Sequence, residues 1–317
     1  LTGAFSSAIL VYGMALIYAG SGTTEIKMIG QLLHENPYTK NTLVYIGVGL
    51  MFCGFAFKIS LVPFHSWTPD VYQGAPTPIT GFMSVATKAA AFAVITRIFF
   101  TALPELEKAW MPILFGASVL TMLVGNTAAI FQDDLKRMLA YSGVAHAGYL
   151  LIGIVTNTQE GTASILFYLA VYLFMNIGAF AVVFIMEGEG KEGNSIYRFK
   201  GLAKKNPLLA AAMSLFMVSL AGFPPTAGFF GKLFVFYAAI KKGYILITIL
   251  AVIASIISVY FYLRVVVIMY FHEDESAPQP VIYKGMGALI TVSCLVVVGI
   301  GLFPSFLMEL ARGAIPF

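Results

Sequence analysis

Three lysines and one histidine stand where a membrane-length apolar sequence would ordinarily exclude them. Lys88 lies inside MSVATKAAAFAVITRIFF (83–100), twelve residues after Pro76 and sixteen before Pro104, too deep for its ammonium to reach water along either flank. Lys58 ends the apolar run before SLVPFHSW, Lys232 follows LAGFPPTAGFFG, and His146 lies in AYSGVAHAGYLL. A cation at the bilayer centre costs about 3 kcal/mol or more on insertion scales, and it normally faces a partner or a wet cavity. The chemistry such groups offer is reversible proton binding. A buried lysine can load or release a proton as its distance to a carboxylate changes, and an imidazole exists in both protonation states near neutrality.

Two of the lysines adjoin helix breaks. Pro63 inside a helix would displace the bond to the Ile59 carbonyl, leaving a backbone acceptor beside Lys58. Pro224 and Pro225, with nearby glycines, interrupt the apolar segment 207–240, and Lys232 follows within two turns. As one straight helix that segment would run ~51 Å, well beyond the hydrocarbon thickness. Two interrupted segments, each with a lysine at the break, are the pattern of an internally repeated transporter. His146 can relay protons or simply hydrogen-bond in a helix interface, with Tyr141, Ser142 and Tyr149 close by in sequence. His65 and Asp70 read as structural loop residues.

The elements that must position these groups follow from composition. The 317 residues are 59% hydrophobic and 11% charged, with a mean hydropathy of +0.87; soluble domains usually carry about 25% charged residues. This predicts an all-α polytopic membrane protein with about nine spans, at 1–20, 42–62, 78–100, 110–131, 135–155, 162–186, 207–240, 244–271 and 286–310. A short interfacial helix is expected near 26–33. All 15 acidic residues fall in loops or at helix ends, so the buried lysines have no buried acid in this chain. Arg97 and Arg264 lie near enough to span ends to snorkel.

Orientation follows from the basic residues of alternate loops. One side carries Lys136, Arg137, Lys191, Arg198, Lys200, Lys204, Lys205 and Lys284, and the other Lys27, Lys40, Lys108, Lys241, Lys242 and Arg312. The richer side is read as cytoplasmic. A net charge of +4 without a basic tract gives nucleic acid binding no support. Cys53 and Cys294 suggest neither a disulfide framework nor a metal site, and EGEGKEG (187–193) reads as a flexible charged loop. No CxxC, phosphate-cradling glycine loop or nucleophile elbow is present.

FKISLVPFHSWTPDVYQGAPTPITGFMSVATKAAAF (57–92), DDLKRMLAYSGVAHAGYLLIG and SLAGFPPTAGFFGKLFVF together closely resemble the subunit N family of the proton-pumping NADH:quinone oxidoreductase, respiratory complex I. The resemblance covers essentially the whole chain. It implies a fourteen-helix antiporter-like fold built from two inverted five-helix repeats, of which this chain supplies the sixth helix onward. Residues 1–105 would then be the last three helices of the first repeat, 106–272 the second repeat, and 273–317 a C-terminal helix.

In that family a line of buried lysines with one histidine forms a mid-membrane polar axis, and its members match Lys58, Lys88, His146 and Lys232. A glutamate on a helix preceding Leu1 would pair with Lys58. The implied role is proton translocation coupled to quinone reduction in other subunits. NADH, FMN, iron–sulfur clusters and quinone would be held elsewhere, with no redox centre or cofactor in this chain. Its partners would be the other membrane subunits, lipids and protons, in a bacterial inner membrane. A cation/proton antiporter subunit of the same fold and a membrane scaffold without transport are the alternatives.

Overall fold

The computed structural model describes residues 1–36, 40–187, 193–272, 280 and 284–315. Every regular element among them is a helix. The chain opens with α1 (Thr2–Ser21), the amphipathic α2 (Ile26–Glu35) and α3 (Thr42–Lys58). A short α4 (Trp67–Gly74) follows the first break. The third span is composite: α5 (Thr77–Phe82), a π turn over Met83–Thr87, α6 (Lys88–Arg97) and a second π turn over Ile98–Ala102. Then come α7 (Glu107–Ile130), α8 (Leu135–Val155), α9 (Gln159–Met186), α10 (Leu202–Lys205), α11 (Pro207–Ala221), α12 (Ala227–Lys241), α13 (Ile245–Phe271), α14 (Lys284–Leu302) and α15 (Pro304–Gly313). Seven of the described helical stretches are long and apolar enough to cross a membrane, and α3 and α11 are shorter apolar helices. The chain is a multi-pass integral membrane protein.

α8 is the hub: 94% of its apolar window is buried, against 17% for α1 and 22% for α14. Small residues allow the close approach. Gly125 of α7 and Gly148 of α8 lie where a Cβ would meet backbone atoms of the facing helix at 2.6 and 2.9 Å. Orphan amides at helix starts are capped by side chains, Asn41 accepting from the Val44 amide, Asp134 from Arg137 and Asn206 from Leu209.

Both breaks exist, and each contains a cis proline bond, Val62–Pro63 and Pro224–Pro225. The first differs from the sequence expectation. α3 ends at Lys58 because Ser60 takes a left-handed conformation (φ 64°), so Pro63 lies in the turn beyond the helix and displaces no helical bond. The final apolar segment also differs, since it divides at Phe303, with Pro304 opening α15 as a separate amphipathic helix. The charged loop 187–193 falls, apart from Glu187 and Gly193, outside the described residues, as does most of 273–283.

Loops on one face are tied together by polar contacts. Asp134 and Ser195 form an isolated antiparallel bridge, and the Ile196 amide donates to the Asp133 carbonyl at 2.8 Å. Arg264, in the last third of α13, pairs with the Asp133 carboxylate and donates to the Tyr197 hydroxyl at 3.1 Å. Arg137 joins the same face to α4 by donating to Asp70 at 2.7 Å and to the Gln73 Oε1 at 2.9 Å.

Candidate functional site

Lys88 is the first residue of α6, directly after the π turn, and is 1% exposed. The hydroxyls of Ser84 and Thr87 donate back to the Gly81 and Met83 carbonyls at 2.7 and 2.5 Å, the kind of competition that loosens a helical ladder. The Lys88 ammonium crosses to α8 and donates to the Gly143 carbonyl at 2.5 Å. It lies 5.9 Å from the Tyr172 ring centroid of α9. Gly143 leaves room for this approach: a Cβ there would stand 2.7 Å from the Lys88 Nζ and 3.0 Å from the Tyr172 hydroxyl, and the lysine head would have to shift.

One turn along α8, His146 is 3% exposed and clamped between two phenols. Its Nδ1 lies 2.8 Å from the Tyr168 hydroxyl and its Nε2 3.0 Å from that of Tyr262. Tyr262 also meets the Ser142 hydroxyl. A neutral imidazole has one donor and one acceptor nitrogen, so one phenol donates and the other accepts; both can rotate, and the pair can satisfy either tautomer or the imidazolium. The Tyr172 and Tyr149 rings close the pocket at 5.0 and 6.0 Å.

Lys232 completes the group from α12. It is 4% exposed and reaches back across the break, donating to the Ala221 carbonyl at the end of α11 at 2.7 Å and to the Ser255 hydroxyl of α13 at 2.8 Å. A cation at the carbonyl end of a helix is favourable for the helix dipole. The ammonium stands 5.0 Å over the Tyr149 ring, whose hydroxyl accepts from Asn126 at 3.0 Å. A cavity of about 350 Å³ walled by Phe223, Phe229, Phe236, Val252 and Ile256 opens beside it. Lys88, His146 and Lys232 are thus joined through Tyr172, Tyr168, Tyr149 and Tyr262. The ion pairs among the described residues all belong to other side chains.

Lys58 stands apart. It is exposed, and its ammonium donates to the Ser7 hydroxyl of α1 at 3.3 Å. Pro63 lines an open groove with Phe57, Phe64 and Trp67, and Asp70 is engaged by Arg137. The partners Tyr168, Tyr172 and Asn176 of α9, and Ser255 and Tyr262 of α13, were not singled out from sequence. Their signal was available as polar residues recurring every three to four positions on one face of otherwise apolar helices.

The fold, with this buried line of lysine, histidine and tyrosine side chains, defines a multi-pass membrane protein of the antiporter-like class. The chain belongs to the family described as NADH:quinone oxidoreductase/Mrp antiporter, transmembrane, whose profile matches residues 1–258. It is 47% identical to an NADH-quinone oxidoreductase subunit N of Trichlorobacter lovleyi over 99% of this chain and 65% of that relative. It is 44% identical to the subunit N of Rhodococcus opacus over 100% of this chain and 59% of the relative. The chain therefore spans a little under two thirds of the length of these relatives. Among solved structures, respiratory complex I of Thermus thermophilus with bound aureothin matches with a TM-score of 0.83 and 34% identity, covering 98% of this chain and 66% of the matched chain. An Mrp complex from Dietzia matches in fold, with a TM-score of 0.87 at 23% identity over 98% of this chain and 65% of its own.

Proposed function

We propose that this chain is a proton-translocating membrane subunit of an NADH:quinone oxidoreductase in a bacterial cytoplasmic membrane. The observation that carries the reading is the buried line from Lys88 through Tyr172 and His146 to Tyr149 and Lys232, with no neutralising carboxylate beside it among the described residues. Such a line is costly as structure alone, and it fits proton passage along the membrane plane.

Each residue has a distinct task in this reading. Lys88 and Lys232 hold the proton at the two ends, each steadied by one backbone carbonyl and an aromatic face. His146 passes it between them, with the two phenols reversing their hydrogen bonds. Lys58 belongs to an earlier station on the axis, beside the break at Pro63, as the family resemblance suggests; Pro224 and Pro225 provide the second break. NADH, FMN, iron–sulfur clusters and quinone act in other subunits, and this chain contributes proton movement without a redox centre. The other membrane subunits and surrounding lipids are its partners. The division into repeat segments 1–105 and 106–272 with a terminal 273–317 belongs to the same proposal.

The deciding experiment is Lys88→Arg in the assembled complex. Arginine keeps the charge but, with a pKa above about 12, does not release its proton on a useful timescale. The expected result is NADH-driven acidification of inverted vesicles, normalised to assembled complex, reduced at least about tenfold, as for loss of a proton-transfer group. Wild-type acidification in that variant returns Lys88 to a structural role.

A further inference from the structure

Below Lys88, toward the face that carries Asp133, four polar side chains follow one another on one side of the composite span: Thr77, Thr80, Ser84 and Lys88 itself. Their exposures are 1, 0, 0 and 1%. The spacings of three, four and four residues keep them aligned along the helix. At the outer end, Thr77 donates to Glu187 Oε2 at 2.8 Å, and Glu187 Oε1 lies 3.6 Å from the ammonium of Lys136. Glu187 is 27% exposed through its side chain and Lys136 only 2%. Lys136 is also held by the Ala75 carbonyl at 2.6 Å.

At the inner end, Asn176 of α9 is fully buried and faces this row. Its amide nitrogen donates to the Ser84 hydroxyl at 2.6 Å and to the Tyr172 hydroxyl at 3.2 Å. Its carbonyl oxygen has no hydrogen-bond partner. Reversing the amide does not remove the problem, because the position now occupied by oxygen would then hold an unpaired NH2 group. A buried amide atom left unpaired costs about 1–3 kcal/mol, so the site favours a small polar ligand that can donate or accept. Water meets that requirement, with the Asn176 amide and the neighbouring polar groups as partners.

We propose that Asn176 binds water and anchors a proton-access branch running from Glu187 past Thr77, Thr80 and Ser84 to Lys88. This rests on the proton-carrying role of Lys88. The branch is distinct from the line toward His146: it leaves Lys88 along α5 toward Glu187, whereas that line passes through the Tyr172 ring to α8. A proton from the aqueous phase binds the Glu187 carboxylate. It then passes over hydroxyls and water, each hop breaking one O–H bond and forming another, and the last hop breaks an O–H bond and forms an N–H bond on the neutral amine of Lys88. The titratable groups facing Lys88 are Tyr172 of α9 and His146 of α8, and those facing Glu187 are Lys136 of α8 and, through the Met186 carbonyl, Arg198. Asn176 is a positioning residue in this scheme, and Glu187 is the entry group.

The test measures acidification of inverted vesicles driven by NADH, normalised to assembled complex, with the outer buffer set on either side of neutrality. Asn176→Leu keeps the volume and removes the water site. If it closes a supply route, its acidification falls about fivefold at about pH 8.5, where protons are scarce, and less than about twofold at about pH 6.5. Glu187→Gln shifts the profile in the same direction, and Asn176→Ser, which retains a polar group and leaves room for water, restores at least half of the rate. Equal loss at both pH values assigns Asn176 a purely structural role and overturns the proposal, as does wild-type acidification at both. Should Asn176→Leu not assemble, Ser84→Ala removes the hydroxyl on the opposite side of the site and must show the same pH dependence. Lys88→Arg run in parallel separates the two readings. If it acidifies normally, the central lysine itself is misread; if it fails while Asn176→Leu behaves as wild type, only the branch falls.

Discussion

The two helix breaks look alike in sequence, each pairing a lysine with proline, yet they house their lysines differently. At the first, Lys58 is the last residue of α3, exposed, with a single 3.3 Å hydrogen bond to Ser7. At the second, Lys232 comes five residues after α12 begins and folds back onto the terminal carbonyl of α11, enclosed by Ser255 and Tyr149. One lysine precedes its break and the other follows it. A lysine placed after the break can span the gap between half-helices and fill it, whereas one placed before it points away from the gap. The difference is therefore in which half-helix supplies the cation and which supplies the carbonyls.

The largest test of that contrast is Gly228→Ala. A Cβ at 228 would stand 1.8 Å from the Ser219 carbonyl oxygen and 2.7 Å from its carbon, both backbone atoms that hold α11 against α12. The substitution also threatens the Gly228 amide bond to the Ser219 hydroxyl at 3.1 Å. Overpacking against rigid backbone should cost at least about 3 kcal/mol, so the chain should fail to accumulate in membranes on immunoblots. Normal abundance would show that the second break is no more closely packed than the first.

A smaller effect is expected from exchanging each lysine for arginine. The guanidinium needs more room and a flatter slot than an ammonium. At Lys232 the ammonium sits on a specific pair, the Ala221 carbonyl and the Ser255 hydroxyl, which a planar fork cannot meet in the same place even with a cavity alongside. Lys232→Arg should lose about 1–3 kcal/mol and assemble several-fold less well, whereas the exposed Lys58→Arg should assemble at wild-type level. Equal assembly of the two variants, measured by native electrophoresis, would erase the distinction between the sites.

The smallest concerns Ser60. Its left-handed backbone (φ 64°) favours glycine, but its hydroxyl accepts from Thr68 at 2.6 Å. Relief of roughly 1 kcal/mol of backbone strain in Ser60→Gly is offset by a lost hydrogen bond of about the same size. The thermal midpoint of the purified protein should move by no more than about 2 °C. A larger fall would mean that the Thr68 bond holds the first break together.

These residues also mark how far the sequence could be read. The spans were legible because apolar length alone identifies them, and Pro224 with Pro225 announced a break that lies where expected, at Gly222–Thr226. The end of α3 was not legible, because a serine in the left-handed region carries no composition signal and drew attention to Pro63 instead. α4 was hidden by WTPDVYQG, a polar sequence that contains both proline and glycine. Within the candidate site the charged members stood out against their apolar surroundings. Their partners did not: Asn126 meets Tyr149 and Ser142 meets Tyr262 only once helices distant in sequence have packed, and no local pattern states which faces will meet.

The ties among Asp133, Ser195, Tyr197 and Arg264 have a mechanical consequence. They join the connection between α7 and α8, the segment between α9 and α10, and α13 on one face of the bundle, so three stretches far apart in sequence are braced against one another there. Load applied to any one is shared by the others. The π turns on either side of α6 depart from the regular i→i+4 ladder, and one of them adjoins Lys88. A braced face with an irregular turn beside Lys88 has the geometry of a hinge set in a rigid mount.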